Sequence, residues 1–168
     1  EKSLKLAPEN VVALNNLAYL YLERLNQPDQ AAEMARKART LAPRDPAIAD
    51  TLGWILYRKG DYEGAVALLQ ESAEKLPNNA EVQYSTPYFA FAAATLLAHG
   101  RAPELVTVAA RAMDRATRDI SDGKATDNHG EFFVAPLMKA HRLLIALQPR
   151  FPGELTAARI DLWRTRLS

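Results

Sequence analysis

The stretch Asp127-Asn128-His129-Gly130-Glu131 sets an imidazole between two carboxylates within five consecutive residues. Such a donor set can hold a cation or pass a proton near neutral pH. A hydrolytic zinc centre of the His-x-Glu kind also needs thiolate ligands, and the chain contains no cysteine. The same residues are turn formers, and a polar loop in which Asp127 or Asn128 caps a turn is the better account of them. The two other histidines offer less. His99 precedes Gly100, at a predicted helix end where an imidazolium suits the helix dipole. His141 falls on a largely apolar helical face and reads as a partly buried core residue. Arg111, Arg115 and Arg118 could line one helix, but Asp114 and Asp119 interrupt them, as on a solvated face. The expectation is no catalytic residue, no metal ligand and no cofactor.

Composition narrows the classes of function further. The 168 residues are 48% hydrophobic and 24% charged, with a net charge of +1. A field that weak does not draw in nucleic acid or a membrane surface. The longest apolar run, Tyr88 to Ala98, is too short to cross a bilayer and reads as a helix buried among others. The absence of cysteine leaves the compartment undetermined. Lysine and arginine are balanced up to Tyr84, whereas Lys124 and Lys139 are the only lysines beyond it.

The elements that would position any site announce themselves by a repeat. Pro8, Pro43 and Pro77 are separated by 35 and 34 residues, and each ends a similar phrase: SLKLAP, ARTLAP, SAEKLP. Ser3, Ala38 and Ser72 keep one register before these prolines. Leu17-Ala18 matches Leu52-Gly53, Tyr21 matches Leu56, and Ala31 matches Ala65. The one-residue difference falls where Asn26-Gln27-Pro28-Asp29 replaces the tighter turn Gly60-Asp61-Tyr62, and insertions belong in turns. Within each unit, Leu14, Leu17, Ala18 and Tyr21, then Ile48, Leu52 and Leu56, recur at helical spacing. Asn10 is predicted to cap the first helix, and Asp45 the next, with Pro46 in its first turn. Gly60 suits a left-handed helix end, Asp61 caps the helix after it, and Pro43 and Pro77 stop the second helices.

The stretch from Asp50 to Asn79, DTLGWILYRKGDYEGAVALLQESAEKLPNN, resembles a complete tetratricopeptide-repeat (TPR) unit. Leu52-Gly53, Gly60-Asp61-Tyr62, Ala65 and Pro77 stand where that family has its leucine-glycine pair, turn, small packing residue and terminal proline. The resemblance covers about residues 1–84. It implies an all-α fold of antiparallel helix pairs stacked into a right-handed superhelix, in which each pair needs its neighbour to cover an apolar side. The expected divisions are a partial unit over 1–10, units over 11–45 and 46–79, and the start of a third. Residues 1–6 correspond to the end of a second helix, so a fragment of a longer array is expected.

At residues 86 and 87 a third unit should carry its leucine-glycine pair, and the chain has Thr86-Pro87. Gly100 follows Gly60 by 40 residues, as Leu96 follows Leu56, so a degenerate third pair is drawn as Pro87–His99 and Pro103–Ser121. Pro87 is expected to forbid one unbroken helix from Ala80 to His99. Beyond a polar loop at Ser121–Gly130, helices are expected over Phe132–Gln148, beginning properly near Pro136, and over Gly153–Leu167. On the last, Leu155, Leu162, Ile160, Trp163 and Leu167 form apolar stripes, with Arg159, Arg164 and Arg166 mostly outward. Residues 85–168 thus form a second helical region, a cap or small bundle, from the same or a different source.

In TPR proteins the first helices of successive units line a concave groove that holds a peptide. The resemblance therefore implies a groove set of Asn15, Tyr19, Leu22 and Glu23, followed by Asp50, Trp54, Tyr57 and Arg58. In each set the spacing keeps the side chains on one helical face. Trp54 serves as groove surface or as packing between units. Asn16 matches the position of backbone-holding asparagines in the family, whereas Thr51 departs from it. The set that clamps a terminal carboxylate is not matched. The implied function is a scaffold or adaptor binding a protein or peptide, with no nucleic acid and no membrane insertion. The first half is similar to arrays in bacterial envelope and polysaccharide-export assemblies. Two other readings stay open: an engineered helical fusion, and a helical piece of a carbohydrate-active enzyme, suggested by His129-Gly130-Glu131-Phe132-Phe133.

Overall fold

Regular structure among the described residues consists of eight α-helices and one 3-10 turn, with no strand. The computed structural model describes residues 9–75, 80–123 and 130–168. The chain divides into two compact units, Glu1–Pro77 and Asn78–Ser168.

The first unit contains α1 (Val11–Glu23), α2 (Pro28–Leu41), α3 (Pro46–Arg58) and α4 (Tyr62–Lys75). Their ends form where local chemistry dictates. Asn10 Oδ1 accepts the Ala13 N–H at 2.9 Å, and Asp45 Oδ1 accepts that of Ala47 at 2.9 Å, each satisfying an amide with no partner inside its own helix. Pro46 needs no donor in the first turn. Gly60 turns the chain at φ +82°, and Asp61 Oδ1 then accepts the Gly64 N–H at 3.0 Å. The longer turn between α1 and α2 reverses at Asn26 instead, with φ +49°, a conformation asparagine tolerates better than most residues. The prolines Pro8 and Pro77, and Ser3, lie outside the described residues.

Helix α1 packs on α2, α3 on α4, and α2 on α3. These contacts are made through small side chains. Ala31, Ala32, Ala35 and Ala38 on α2 are wholly buried, as are Ala65 and Ser72 on α4. At the crossing of α3 and α4, a Cβ added to Gly53 would lie 2.9 Å from Leu69 Cγ and 3.2 Å from Leu68 Cβ. Leu14, Ala38 and Ile48 join three helices in one apolar cluster, flanked by Val11, Met34 and Ala42. Ion pairs tie the two repeats at the rim: Arg58 Nη1 lies 2.9 Å from Glu23 Oε1, and Lys59 pairs with Asp29 and Arg39 with Glu71. Lys75, with Arg39 beside it, holds the Glu71 carboxyl below its ordinary range.

The second unit contains α5 (Ala80–Ala98), a 3-10 turn (Pro103–Leu105), α6 (Val106–Ser121), α7 (Gly130–Leu147) and α8 (Ala157–Leu167). Here the sequence expectation needs correction. One helix runs from Ala80 to Ala98 straight through Pro87, so the drawn start at Pro87 is wrong. A proline inside a helix costs about 3 kcal/mol in lost hydrogen bonding and strain. The subsequent turns offset it by burial: Tyr88, Phe89, Ala92, Ala93, Leu96 and Leu97 are all buried on a helix that packs against both α6 and α7. Helix α7 likewise begins at Gly130 and carries Pro136 within it, not at its start. The last helix starts at Ala157, not Gly153, capped by Thr156 Oγ1. Leu162, expected in an apolar stripe, is 45% exposed.

Helix α8 is fastened to α6 by a polar knot. Asp114 accepts from Trp163 Nε1 at 2.7 Å and from Arg159 Nη2 at 3.0 Å, and its backbone carbonyl accepts from Arg166 Nη1 at 3.4 Å. Arg159 and Arg166 therefore turn inward, contrary to the outward placing read from the sequence. His141 on α7 is buried, edge-on to Trp163 at 6.3 Å between ring centres. Burial, with the Arg164 charge adding to it, lowers the pKa of this imidazole.

This packing has two consequences for stability. Gly53→Ala should lower the unfolding free energy by about 1 kcal/mol, because Leu69 is fully buried and has to shift. The same change at an open helical site gains about 1 kcal/mol, so a raised midpoint in urea denaturation would show that the crossing has room. The folded chain disfavours His141 protonation relative to the ordinary value of 6.5, so the unfolded chain binds that proton more tightly. Its contribution is full above that value and is lost as pH falls through the lower folded-state value. His141→Phe should flatten the loss of stability as pH falls below about 6.5, measured by chemical denaturation beside the parent chain; identical slopes would refute the assignment.

Candidate functional site

On α1 and α3, residues four apart share a face. Asn15, Tyr19 and Glu23 make one such row, and Asp50, Trp54 and Arg58 the other. Across the repeat the rows meet. The rings of Tyr19 and Trp54 lie 5.6 Å apart, tilted by 33°. The Arg58 guanidinium stands 5.8 Å from the centre of the Trp54 ring and reaches Glu23 at 2.9 Å. Four of the eight expected groove residues are thus linked in one patch that spans two repeats of the first unit.

The other four differ in placement. Asn15 is half-buried, and its side-chain oxygen has no hydrogen-bond partner among the described residues. Asp50 is half-buried one turn before Trp54. Tyr57 is half-buried beside the Tyr62 ring, 6.0 Å away, and burial pushes its phenol up to about 12, with Tyr62 adding to the shift and Arg58 opposing it. Leu22 does not belong to the face. It is 2% exposed and falls in the buried row Leu14, Ala18, Leu22 of the same helix, so its inclusion is corrected. Tyr19 is half-exposed, at 50%. Asn16 is exposed, while the Thr51 hydroxyl donates to the Ala47 carbonyl of its own helix at 3.1 Å, so the two do not act as a matched pair.

Asp127, Asn128 and His129, the core of the one loop with acid–base residue types, lie outside the described residues. Among the described residues no group of three His, Cys, Asp or Glu could hold a metal ion. No helix of the described residues is long and apolar enough to cross a membrane.

Two sequence models, both described as tetratricopeptide repeat, match residues 1–33 and 24–86. Through these residues the chain belongs to the tetratricopeptide-repeat family. A TPR repeat-containing protein of Pseudomonas aeruginosa is 39% identical to it over 72 residues, which are 43% of this chain and 12% of that protein. The chain therefore spans a small part of the length of that relative. TPR repeats generally mediate protein–protein interaction and are typically non-catalytic scaffolds. The Asp114–Trp163 knot of the second unit was not legible from the sequence, because nothing in the repeat register relates α6 to α8.

The ion pair that closes the TPR patch has a measurable strength. Glu23 is the more covered partner, its side chain 14% exposed against 36% for Arg58. A double-mutant cycle of Glu23→Gln and Arg58→Met should return a coupling of about 0.5–1 kcal/mol, lessened by added salt. A coupling of zero at low salt would mean the two groups do not meet in solution.

Proposed function

We propose that this chain is an interaction module that docks a protein or peptide segment across the first helices of its TPR repeats. The docking face consists of Asn15, Tyr19 and Glu23 on α1 with Asp50, Trp54, Tyr57 and Arg58 on α3. The observation that carries the reading is the Tyr19–Trp54–Arg58–Glu23 patch, in which two aromatic rings and a guanidinium from separate repeats adjoin at the surface. Aromatic and arginine side chains are those that most often dominate binding energy, because they offer a large rigid area with few rotamers to freeze. The half-exposed Tyr19 gives an arriving segment something to cover. The patch holds no nucleophile with an adjacent base, which suits recognition better than catalysis.

The test is affinity capture from a lysate with the 168-residue chain, beside the single variant Tyr19→Ala and the double variant Trp54→Ala/Tyr57→Ala. A hot-spot role predicts loss of captured partner by about 30-fold in the double variant and about 10-fold in Tyr19→Ala. Circular dichroism and the thermal midpoint of Tyr19→Ala should stay near the parent, since that side chain is half-exposed. Undiminished capture by both variants would remove the face from consideration.

A further inference from the structure

We propose that the last helix, α8, is an acid-released latch whose trigger is the buried imidazole of His141. Helix α8 packs chiefly on α6, and its anchor is Trp163, which is wholly buried and donates its indole N–H to Asp114 at 2.7 Å. His141 on α7 stands edge-on to that same ring, 6.3 Å between centres, and is itself buried. Its Nε2 has no hydrogen-bond partner among the described residues. A neutral imidazole tolerates that position, since one of its nitrogens is only an acceptor. An imidazolium carries a hydrogen on both nitrogens, so protonation places a charge and an N–H where neither is satisfied.

Among the described residues, the surroundings do not relieve that charge. The described part of α5 carries the phenol of Tyr88 and no charged residue. On α6, Arg111 and Arg118 are exposed, Arg115 lies 3.9 Å from Asp119, and Asp114 is taken up by Trp163 and Arg159. Lys139 of α7 itself stands over the Phe91 ring, and Arg142 is exposed. On α8, Arg166 reaches a backbone carbonyl and Arg164 pairs with Asp161 at 2.8 Å. Burial disfavours the imidazolium most, and the Arg164 charge repels it as well. Water supplies what the docked state lacks, and α8 is the element that can let it in. It is 11 residues long and packs chiefly on one helix, whereas α7 packs on both α5 and α6. Protons favour the state in which the imidazole titrates nearer its ordinary 6.5, so docking of α8 is strongest above that value and weakens as pH falls through the lower docked-state value.

Native-state hydrogen exchange of the full 168-residue chain tests this, followed at about pH 7.5 and about pH 5 and corrected for the intrinsic rate at each pH. Exchange from α8 should quicken at the lower pH by about 3- to 30-fold, the upper figure being the limit for an imidazole of ordinary affinity once released. Exchange from α6 should change by less than about 2-fold. In His141→Phe, which keeps a ring against Trp163 and has no proton to bind, the response of α8 should vanish. If circular dichroism shows that variant misfolded, His141→Gln, neutral at every pH, takes its place. Asp114→Asn should quicken α8 exchange at both pH values and leave the ratio between them unchanged. Equal quickening of α6 and α8 would mean that the unit opens as a whole, and overturns the latch. So does a response that persists without His141, or one that disappears in Asp114→Asn and so makes the carboxylate the trigger. An α8 indifferent to pH in the parent chain overturns it too.

Discussion

Everything in the TPR half depends on how closely two helices can approach. Gly53 leaves no space for a single methyl group against Leu69, the buried residues of α2 are all alanine, and Ala65 and Ser72 are wholly buried on α4 beside Leu69. Small side chains gain little from burial individually, about 1 kcal/mol or less each. Their value is geometric: they bring backbones near enough for Leu14, Ile48, Ile55 and Leu69 to fill the remaining space without voids. A larger residue at Gly53 would spread the pair and loosen every contact built on it.

The binding face is a by-product of that spacing. Once α1 and α3 are set by the repeat, side chains 35 residues apart in sequence become neighbours in space, as Glu23 and Arg58 do, and Tyr19 and Trp54 with them. The register that buries Leu14, Ala18 and Leu22 turns Asn15, Tyr19 and Glu23 to another side of the same helix. Core and recognition surface are therefore coupled. A shift of one residue in the packing stripe would carry the aromatic patch out of register with its counterpart in the next repeat.

The repeat made the first half legible because the same physical problem is solved twice, and each landmark has a local cause. Caps at Asn10 and Asp45 and the left-handed glycine at Gly60 are decided by residues within three positions, and the structure has each. Elsewhere tertiary packing overrides local preference. Pro87 and Pro136 would both break a helix standing alone, yet each lies inside one, within a unit whose buried alanines and leucines outweigh the missing hydrogen bonds. Leu22 failed for a subtler reason. Its equivalent, Tyr57, is half-buried with a polar tip, and the repeat register does not say which of two matched positions is the wetter. Local sequence points Arg159 and Arg166 outward because charge favours water, and it carries no sign that Asp114, 45 and 52 residues away, lies within reach.

Across the TPR repeats, alanine-sized contacts inside are joined by charge pairs outside: Glu23 with Arg58, Asp29 with Lys59, Arg39 with Glu71. The two kinds of tie differ in compliance. Apolar interdigitation is short-ranged and stiff, while exposed charges act over several ångströms and weaken as ionic strength rises. Dissolved electrolyte thus loosens the outer ties between adjoining modules while leaving the apolar contact of Leu14, Ala38 and Ile48 in place.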